Sequence, residues 1–241
     1  MKANSQRPEP ADKYGTGLVL DIHSIFYTLQ GEGPFAGSPA VFVRLAGCNL
    51  QCPGCDTEYT EGRQNMPVGE VVGRISALIR ERNPACKLVV ITGGEPLRQN
   101  LDELVATIGL MDLHVQLETN GVFELSKFLC LAKMREMLTV IVSPKTTHCH
   151  ETTMQYADAF KYVLHHAEVD EYDGLPLRAL GHPAKHGLQR PPNDWDGVIY
   201  VNPQDSHDPE INKANLIAAR DSALKYGHVL GVQLHKIIDL P

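Results

Sequence analysis

Apolar residues along this chain follow two patterns that alternate from one end to the other. Short apolar runs predict strands at Leu18–Leu29, Ala40–Ala46, Lys87–Thr92, His114–Glu118, Thr139–Val142, Phe160–Leu164, Val198–Val201 and Val229–Leu234. Apolar residues spaced three and four positions apart predict helices at Val68–Arg82, Leu101–Leu110, Ser126–Met137 and Pro209–Tyr226. Because strands alternate with helices, we expect a parallel sheet with right-handed crossovers. The pattern therefore predicts an α/β fold whose sheet is closed or partly closed into a barrel.

Two regions fall outside this alternation. Residues 1–16 are rich in proline and charge, which predicts a flexible N-terminal tail. Residues 165–196 are hydrophilic, contain four prolines and show little periodicity, which predicts a surface insertion. We see no internal repeat and no linker between two cores, so residues 17–241 are expected to form a single domain.

Composition narrows the class of function. Apolar residues make up 43% of the 241 positions, which is enough for a full core. Acidic residues outnumber basic ones by 29 to 22, and a net charge of −7 argues against a nucleic-acid-binding face. No apolar run resembles a secretory signal or approaches the roughly 20 residues that span a bilayer. We therefore expect a cytoplasmic protein whose cysteines are reduced.

The stretch Val41–Thr57 carries the strongest chemical signal. It places Cys48, Cys52 and Cys55 within eight residues on a loop that follows a strand. A structural zinc or a conventional cubane cluster takes four protein ligands, so three local thiolates would leave one coordination position open. Two interpretations stay open at this point. One is an iron–sulfur cluster with an open iron, and the other is a zinc site completed by a distant ligand such as a histidine.

The remaining cysteines are expected to have other roles. Cys86 precedes its strand and Cys130 lies in an apolar helical run, so both are predicted to be core thiols. Cys149 follows a strand end and could reach the site, although a thiol on a surface loop is the simpler expectation.

Several strands end in polar or glycine-rich stretches, as expected where the carboxyl ends of barrel strands build a site. These stretches are Gln30–Pro34, Gly93–Pro96, Thr119–Gly121, Ser143–Lys145 and Asn202–Asp205.

The spacing Cys48-x3-Cys52-x2-Cys55 after a strand, together with GGEP at 93–96, resembles the signature of radical S-adenosylmethionine enzymes. Further segments resemble the 7-carboxy-7-deazaguanine synthase family in particular. They are FYTLQGEG at 26–33, FVRLAGCNLQC at 42–52, CDT at 55–57, TGGEP at 92–96, LETNG at 117–121, VSPK at 142–145 and the terminal LHKIIDLP. The resemblance runs from about residue 18 to residue 241 and excludes the insertion.

This resemblance implies a fold and an activity. The fold is a partial (β/α) barrel of the radical S-adenosylmethionine type that dimerises. The cofactors are a [4Fe-4S] cluster, S-adenosylmethionine and magnesium, with an electron donor such as a flavodoxin. The implied activity is that of a carbon–nitrogen lyase, which converts 6-carboxy-5,6,7,8-tetrahydropterin to 7-carboxy-7-deazaguanine with loss of ammonia, toward queuosine. In this superfamily a 5′-deoxyadenosyl radical abstracts a substrate hydrogen.

The resemblance also implies roles for individual residues. The pterin would contact Leu29, Gln30, Gly31, Arg44, Thr92 and the terminal carboxylate of Pro241. S-adenosylmethionine would be held by Gly54, Cys55, Asp56, Gly94, Ser143, Pro144, Lys145, Asn202, Pro203, Gln204 and Asp205. The cluster ligands would be Cys48, Cys52 and Cys55, and Thr57 would contact magnesium. Glu32 could face the substrate or simply cap its turn. His235 could line the pocket or be a buried histidine whose polar atoms are satisfied.

Two positions depart from the family pattern, and two rival functions stay open. Gly54 stands where relatives often carry an aromatic residue, and Asn202 stands where glutamine is more frequent. One rival is an activating enzyme of the same superfamily that places a radical on a partner protein. The other is a zinc or electron-carrying iron–sulfur module without catalysis. The motif QGEG and an expected docked C-terminus argue against the first rival. The second leaves GGEP, the SPK strand end and the pattern of polar strand ends unexplained.

Overall fold

The computed structural model describes residues 4–12, 15–182 and 187–240, in which nine strands and six α-helices are found. The strands are β1 (Val19–Leu29), β2 (Pro39–Leu45), β3 (Gln64–Pro67), β4 (Leu88–Gly93), β5 (His114–Thr119), β6 (Leu138–Val142), β7 (Ala159–Leu164), β8 (Val198–Pro203) and β9 (Val229–Leu230). The helices are α1 (Val68–Arg82), α2 (Asp102–Leu110), α3 (Lys127–Met134), α4 (Glu151–Gln155), α5 (Pro209–Tyr226) and α6 (Leu234–Ile237).

All nine strands belong to one sheet with the order β3-β1-β2-β4-β5-β6-β7-β8-β9. From β2 to β9 every neighbouring pair is parallel, while β1 is antiparallel to both β2 and β3. The end strands β3 and β9 do not pair with each other, so the sheet is an open, partial barrel. The α/β prediction is confirmed. The antiparallel start follows from the short connection between β1 and β2, which is too short for the crossover that parallel strands need.

The core lies between the sheet and the helices on its outer face. Strand β4 has a continuous buried run, Leu88–Ile91, as expected for a parallel strand covered on both faces. Helix α1 buries Val71 and Ile75, and α2 buries Leu104 and Ile108. These apolar residues belong to one core cluster that continues to β8 and α5. The helices therefore close the back of the sheet and leave the carboxyl ends of the strands free.

Helices α1 and α5 have the bounds that the sequence predicts. The start of α5 is fixed by Asp208, whose side chain accepts hydrogen bonds from the N–H groups of Glu210 and Ile211. Its end is fixed by Gly227, which adopts a left-handed φ of 78°. Three short elements, β3, α4 and α6, were not predicted, because their sequences lack an apolar pattern. The predicted strand Val229–Leu234 is also too long, since the chain leaves the sheet after Leu230.

The described part of the N-terminal region, residues 4–12, runs along the cysteine-bearing loop that follows β2. We call residues 47–57 the cysteine loop. The N–H of Glu9 donates to the carbonyl of Cys48 at 2.7 Å, and the N–H of Asn4 donates to that of Pro53 at 3.2 Å. The predicted flexibility of residues 1–16 stays a prediction, but the described residues hold backbone groups of the loop.

The insertion at 165–196 is described at 165–182 and 187–196, and it packs against the end of α5. The hydroxyl of Ser222 donates to the carbonyl of Gly174 at 2.7 Å, and the ring of Tyr226 lies against Gly174. The insertion also contributes buried apolar residues, among them Leu175 and Leu188. Near its middle, the insertion reaches the cysteine loop, where the N–H of Gly54 donates to the carbonyl of Leu180 at 2.8 Å.

We predict that Gln6→Ala destabilises the protein by about 1 kcal/mol, because two hydrogen bonds to the loop segment are lost. The Gln6 amide donates to the carbonyl of Thr57 at 2.9 Å and accepts from the N–H of Tyr59 at 2.8 Å. The measurement is urea unfolding followed by circular dichroism. Arg7→Ala, at an exposed neighbouring position, is the control and should change the free energy by less than about 0.5 kcal/mol. Equal effects of the two substitutions would contradict the prediction.

Candidate active site

A cavity of about 470 Å³ opens at the carboxyl ends of the strands, within the range of about 300–1,000 Å³ that is usual for small-molecule sites. The residues that the sequence assigns to the site and that line this cavity are Leu29, Gln30, Gly31, Arg44, Gly54, Asp56, Thr57, Thr92, Ser143, Lys145 and Asp205. Eight other assigned residues do not line it, namely Cys48, Cys52, Cys55, Gly94, Pro144, Asn202, Pro203 and Gln204. Pro241 lies outside the described residues.

The cysteine loop reaches this cavity through Gly54, Asp56 and Thr57, whereas its three cysteines do not line the wall. Burial raises the pKa of Cys48 to about 12 and that of Cys52 to about 11, and it also raises the pKa of Cys55. A thiolate at one of these cysteines would disfavour ionisation of its neighbours, because the charges are close enough to repel each other. The cationic Lys145 instead favours the charged forms of Cys52 and Cys55. Buried thiols of this kind become thiolates when a metal centre compensates their charge.

The arrangement of these thiols distinguishes a cluster from a single ion. Among the described residues, no three His, Cys, Asp or Glu side chains converge on one point where a metal ion could bind. A tetrahedral zinc needs such a point, whereas the thiolate ligands of an iron–sulfur cluster bind separate irons. The donor set, three free thiols within eight residues of one loop, fits a cluster held by three thiolates.

The buried carboxylate of Glu95 ties the carboxyl ends of β4 and β5 together. It accepts hydrogen bonds from the Thr119 hydroxyl at 2.6 Å, the Asn120 N–H at 2.7 Å and the Leu97 N–H at 3.0 Å. Burial raises the pKa of Glu95, and these three bonds oppose that rise. Asn120 in turn donates to Asn49 of the cysteine loop at 2.8 Å. Glu95 thus supports the loop without contacting the cavity.

The two glycines before Glu95 are required by close packing of backbone. A Cβ on Gly94 would lie 2.2 Å from the carbonyl oxygen of Gly47 and 2.9 Å from Cβ of Cys48. A Cβ on Gly93, whose φ is 145°, would lie 2.2 Å from the carbonyl oxygen of Leu45. The sequence predicts that Gly94 holds S-adenosylmethionine. In the structure its visible function is to admit the cysteine loop beside β4, and the cofactor contact stays a prediction.

A polar network, largely buried, forms another part of the cavity wall. Glu118 on β5 accepts from the amide of Gln30 at 3.0 Å and from that of Gln116 at 2.8 Å. Lys161 on β7 forms ion pairs with Glu32 at 2.5 Å and with Glu118 at 3.3 Å. The sequence motifs contain Glu118, but its role and that of Lys161 were missed, because a lysine in an apolar strand gives no signal on its own.

The charges in this network hold one another in the ionised state. Burial opposes ionisation of Glu32, but the charge of Lys161 and hydrogen bonds from Lys161 and Gln233 bring the pKa of Glu32 to about 2. Burial likewise opposes the charge of Lys161, yet Glu118 and Glu32 hold the pKa of that ammonium above its ordinary value. Lys161 therefore stays protonated beside the cavity at neutral pH, with a proton on Nζ that it can donate.

Arg44 points into the cavity without an anionic partner. Its guanidinium carbon lies 5.2 Å from the centre of the Phe26 ring, and Arg44 pairs with Thr92 across the β2–β4 ladder. Burial lowers the pKa of Arg44, while Asp56 and Glu118 oppose that shift. Within the described ranges Arg44 forms no ion pair, and its buried Nε has no hydrogen-bond partner. This is the arrangement expected of a side chain that receives a carboxylate or carbonyl from a ligand.

The C-terminal segment closes one side of the cavity. The N–H of Leu234 donates to the carbonyl of Gly31 at 3.1 Å, and Lys236 forms ion pairs with Asp56 at 3.0 Å and Asp205 at 3.6 Å. His235 lines the cavity and packs on Gly31, where a Cβ would lie 2.3 Å from Nδ1 of His235. Helix α6 therefore connects the polar network to the cysteine loop, and the structure places both Glu32 and His235 in the cavity wall.

The strand-end motifs of β6 and β8 differ in how they reach the cavity. Lys145 Nζ donates to the carbonyl of Ser143 at 2.8 Å and to its hydroxyl at 2.5 Å, and both residues line the cavity. Asn202 is fully buried, and both polar atoms of its amide lack a partner among the described residues. Its Oδ1 packs against Gly231, where a Cβ would lie only 1.9 Å away. Asn202 thus packs against Gly231 and is not part of the wall.

The three other cysteines lie outside the site. Cys86 is buried, as predicted, with its thiol 3.3 Å from the carbonyl of Pro39, and Cys130 is partly buried on α3. The expectation of a surface thiol at Cys149 was wrong. Its side chain is 6% exposed and packs beneath Gly121, because the residues after β6 turn back onto the core. None of the six cysteines forms a disulfide.

Comparison with known proteins agrees with this geometry. The Radical SAM superfamily matches residues 43–149, a range that includes the cysteine loop and Glu95. The crystal structure of QueE from Escherichia coli superposes with a TM-score of 0.62 at 21% identity, over 88% of this chain and 92% of that one, and so has the same fold.

The 7-carboxy-7-deazaguanine synthase of Rhodospirillum rubrum is 41% identical to this chain, over 97% of this chain and 96% of its own length. The chain belongs to the 7-carboxy-7-deazaguanine synthase family. The corresponding protein of Rickettsia prowazekii is 31% identical, over 99% of this chain and 96% of its own length. The resemblance read from the sequence motifs is confirmed. In the described ranges, no helix has the length and apolar character needed to cross a membrane.

We predict that Glu95→Ala lowers the free energy of unfolding by at least about 3 kcal/mol, because three buried donors lose their acceptor. Urea unfolding of the metal-free protein gives this value. Glu81→Ala, at an exposed position near the end of α1, is the control and should cost less than about 0.5 kcal/mol. A loss from Glu95→Ala no larger than that of the control would show that this carboxylate does not hold the strand ends together.

Proposed function

We propose that this protein is a radical S-adenosylmethionine enzyme that converts 6-carboxy-5,6,7,8-tetrahydropterin to 7-carboxy-7-deazaguanine with loss of ammonia, a step toward queuosine. The observation that carries the proposal is the set of three free thiols on the cysteine loop, which borders a polar cavity through Gly54, Asp56 and Thr57. Full-length similarity to relatives with this name supports it. The cavity, partly covered by α6, suits a small molecule better than a protein radical acceptor.

In this proposal Cys48, Cys52 and Cys55 hold a [4Fe-4S] cluster. When bound, the cluster and S-adenosylmethionine supply the radical that removes a hydrogen atom from the substrate. The chain positions the cofactor and the substrate relative to each other. Gly54 and Asp56 of the loop line the cavity together with Ser143, Lys145 and Asp205, and these residues would hold the amino acid and ribose groups. Roles for Gly94, Pro144, Asn202, Pro203 and Gln204 stay predictions, and these residues would act from behind the wall.

The substrate would bind at the other end, against β1, β2, β4 and β5. A fused pterin ring presents amide and guanidine edges, which pair with side chains such as Gln30 and Thr92. Arg44 provides two parallel donors for the substrate carboxylate, and its lack of an ion pair leaves them free. Lys161 can donate to a ring carbonyl, since neighbouring carboxylates keep its Nζ protonated. Leu29 and Gly31 contribute backbone and apolar surface.

Thr57 is proposed as the magnesium contact. Its hydroxyl lies at the cavity wall, 3.4 Å from an oxygen of Asp56. Magnesium keeps several waters and takes few protein ligands, so a single hydroxyl with oxygens from the substrate is sufficient. The terminal carboxylate of Pro241 remains a proposed substrate contact, and it lies outside the described residues.

We also propose the cellular context. The enzyme would act in the cytoplasm, where six free thiols persist, and would receive electrons from a small carrier such as a flavodoxin. It would form a homodimer. Helix α5 supports this, because it exposes Leu216, Ile217 and Leu224, an apolar set that a second copy could cover.

The experiment that tests the proposed function is anaerobic reconstitution with iron and sulfide, followed by reaction with the pterin, S-adenosylmethionine and a reductant. Mass spectrometry should detect 7-carboxy-7-deazaguanine. Cys48→Ala, Cys52→Ala and Cys55→Ala should each abolish the product, because each removes a cluster ligand. Cys86→Ala and Cys130→Ala are matched controls outside the site and should retain activity. Product formation by any of the first three variants would overturn the cluster assignment.

Arg44→Gln should weaken pterin binding by about 10- to 100-fold, as expected for the loss of hydrogen bonds from a charged donor pair. The decisive quantity is the KM of the reconstituted enzyme for the pterin, with the KM for S-adenosylmethionine measured in parallel. Arg74→Gln is the control, since Arg74 forms an exposed pair with Glu70 on α1. If Arg44→Gln left the pterin KM unchanged, this guanidinium would not be the carboxylate receptor.

A further inference from the structure

The insertion contacts the cysteine loop at Gly54. The N–H of Gly54, which lies between two cluster cysteines in sequence, donates to the carbonyl of Leu180 at 2.8 Å. A Cβ on Gly54 would lie 3.2 Å from that carbonyl oxygen, which is tighter than ordinary packing. The φ of Gly54 is outside the left-handed range, so the backbone itself would accept other residues. A side chain at position 54 would therefore crowd the backbone of Leu180, and glycine at this position leaves room for the insertion.

Leu180 is held in a backbone conformation that leucine rarely adopts. Its φ is 51°, and the next residue, Gly181, has a φ of 71°. Asparagine or glycine would adopt this conformation at lower cost, so the backbone alone does not explain a leucine here. Leu180 also lines the cavity, whereas Gly174 of the same insertion packs against α5. The turn at Leu180 thus brings an apolar residue to the cavity wall.

The cavity wall beside the cysteine loop is otherwise polar. Its members there are Asp56, Thr57, Lys145, Asp205 and Lys236. The other apolar wall residues, Leu29 and Phe42, belong to β1 and β2 and lie with the proposed pterin groups, while Val163 is on β7. A flat nucleobase bound beside the loop needs apolar surface to cover its face. Leu180 is the side chain that the insertion adds at this position.

We propose that Leu180 forms the apolar wall against the adenosyl group of S-adenosylmethionine, in the space that Gly54 leaves free of a side chain. The insertion is then a part of the cofactor site. This inference rests on the proposed function, because it assumes that S-adenosylmethionine binds beside the cysteine loop. A purely structural role, in which Leu180 only covers the loop, predicts a different set of measurements.

The test compares Leu180→Asn with Leu180→Met in the full-length protein reconstituted with iron and sulfide. Asparagine accepts the left-handed backbone but removes the apolar surface, while methionine keeps the apolar surface. The readouts are the Kd for S-adenosylmethionine by anaerobic equilibrium dialysis without pterin, iron and sulfide content, and Tm. We expect Leu180→Asn to raise the Kd about 10-fold, the scale of a lost apolar contact, and Leu180→Met to change it less than about 3-fold. Iron content and Tm should stay at the wild-type values.

Three results would overturn this inference. The first is a wild-type Kd for Leu180→Asn. The second is an equal rise in Kd for Leu180→Met, which would mean that shape at this position matters and apolar surface does not. The third is a loss of iron or a lower Tm in Leu180→Asn and also in Leu180→Gly, which relaxes the backbone; this would assign Leu180 to loop stability. If the wild-type protein holds its iron and sulfide but does not bind S-adenosylmethionine, the proposed function itself fails.

Discussion

The structure depends on the backbone of the cysteine loop, which has no regular secondary structure and is held from several directions. The carbonyl of Cys48 accepts from Glu9 of the N-terminal region, and that of Gly47 accepts from the N–H of Glu95 at the end of β4. The N–H of Gly54 donates to Leu180 of the insertion. A loop with the proposed task of carrying three thiolates around a metal cluster gains its rigidity from these contacts, since it cannot gain it from a helix or strand.

The cavity divides into two electrostatic regions. One borders the cysteine loop, where burial keeps the thiols of Cys48 and Cys52 neutral until a metal centre compensates their charge. The other contains Lys161 between Glu32 and Glu118, which stay ionised because they neutralise one another. Between them, Arg44 has no anionic partner in the described ranges. A ligand with a carboxylate and a polar fused ring complements the second region, and an electron-accepting sulfonium complements the first.

Local sequence signals predicted much of this arrangement. Helices α1 and α5 were recognised from apolar spacing, and the spacing of three cysteines identified the loop. Contacts between distant segments were not predictable from pattern. Lys161 pairs with Glu32, 129 positions away, and Gln233 donates to Glu32 from 201 positions away. The buried position of Cys149 and the contact of Leu180 with Gly54 likewise depend on tertiary packing, which leaves no trace in periodicity or composition.

If three thiolates leave one iron of the cluster open beside the cofactor cavity, that iron should differ from the others in Mössbauer spectra of the iron-reconstituted protein. We expect this one iron to change its isomer shift when S-adenosylmethionine is added, because its ligands change. Spectra in which every iron has the same parameters in both states, with no response to the cofactor, would contradict it.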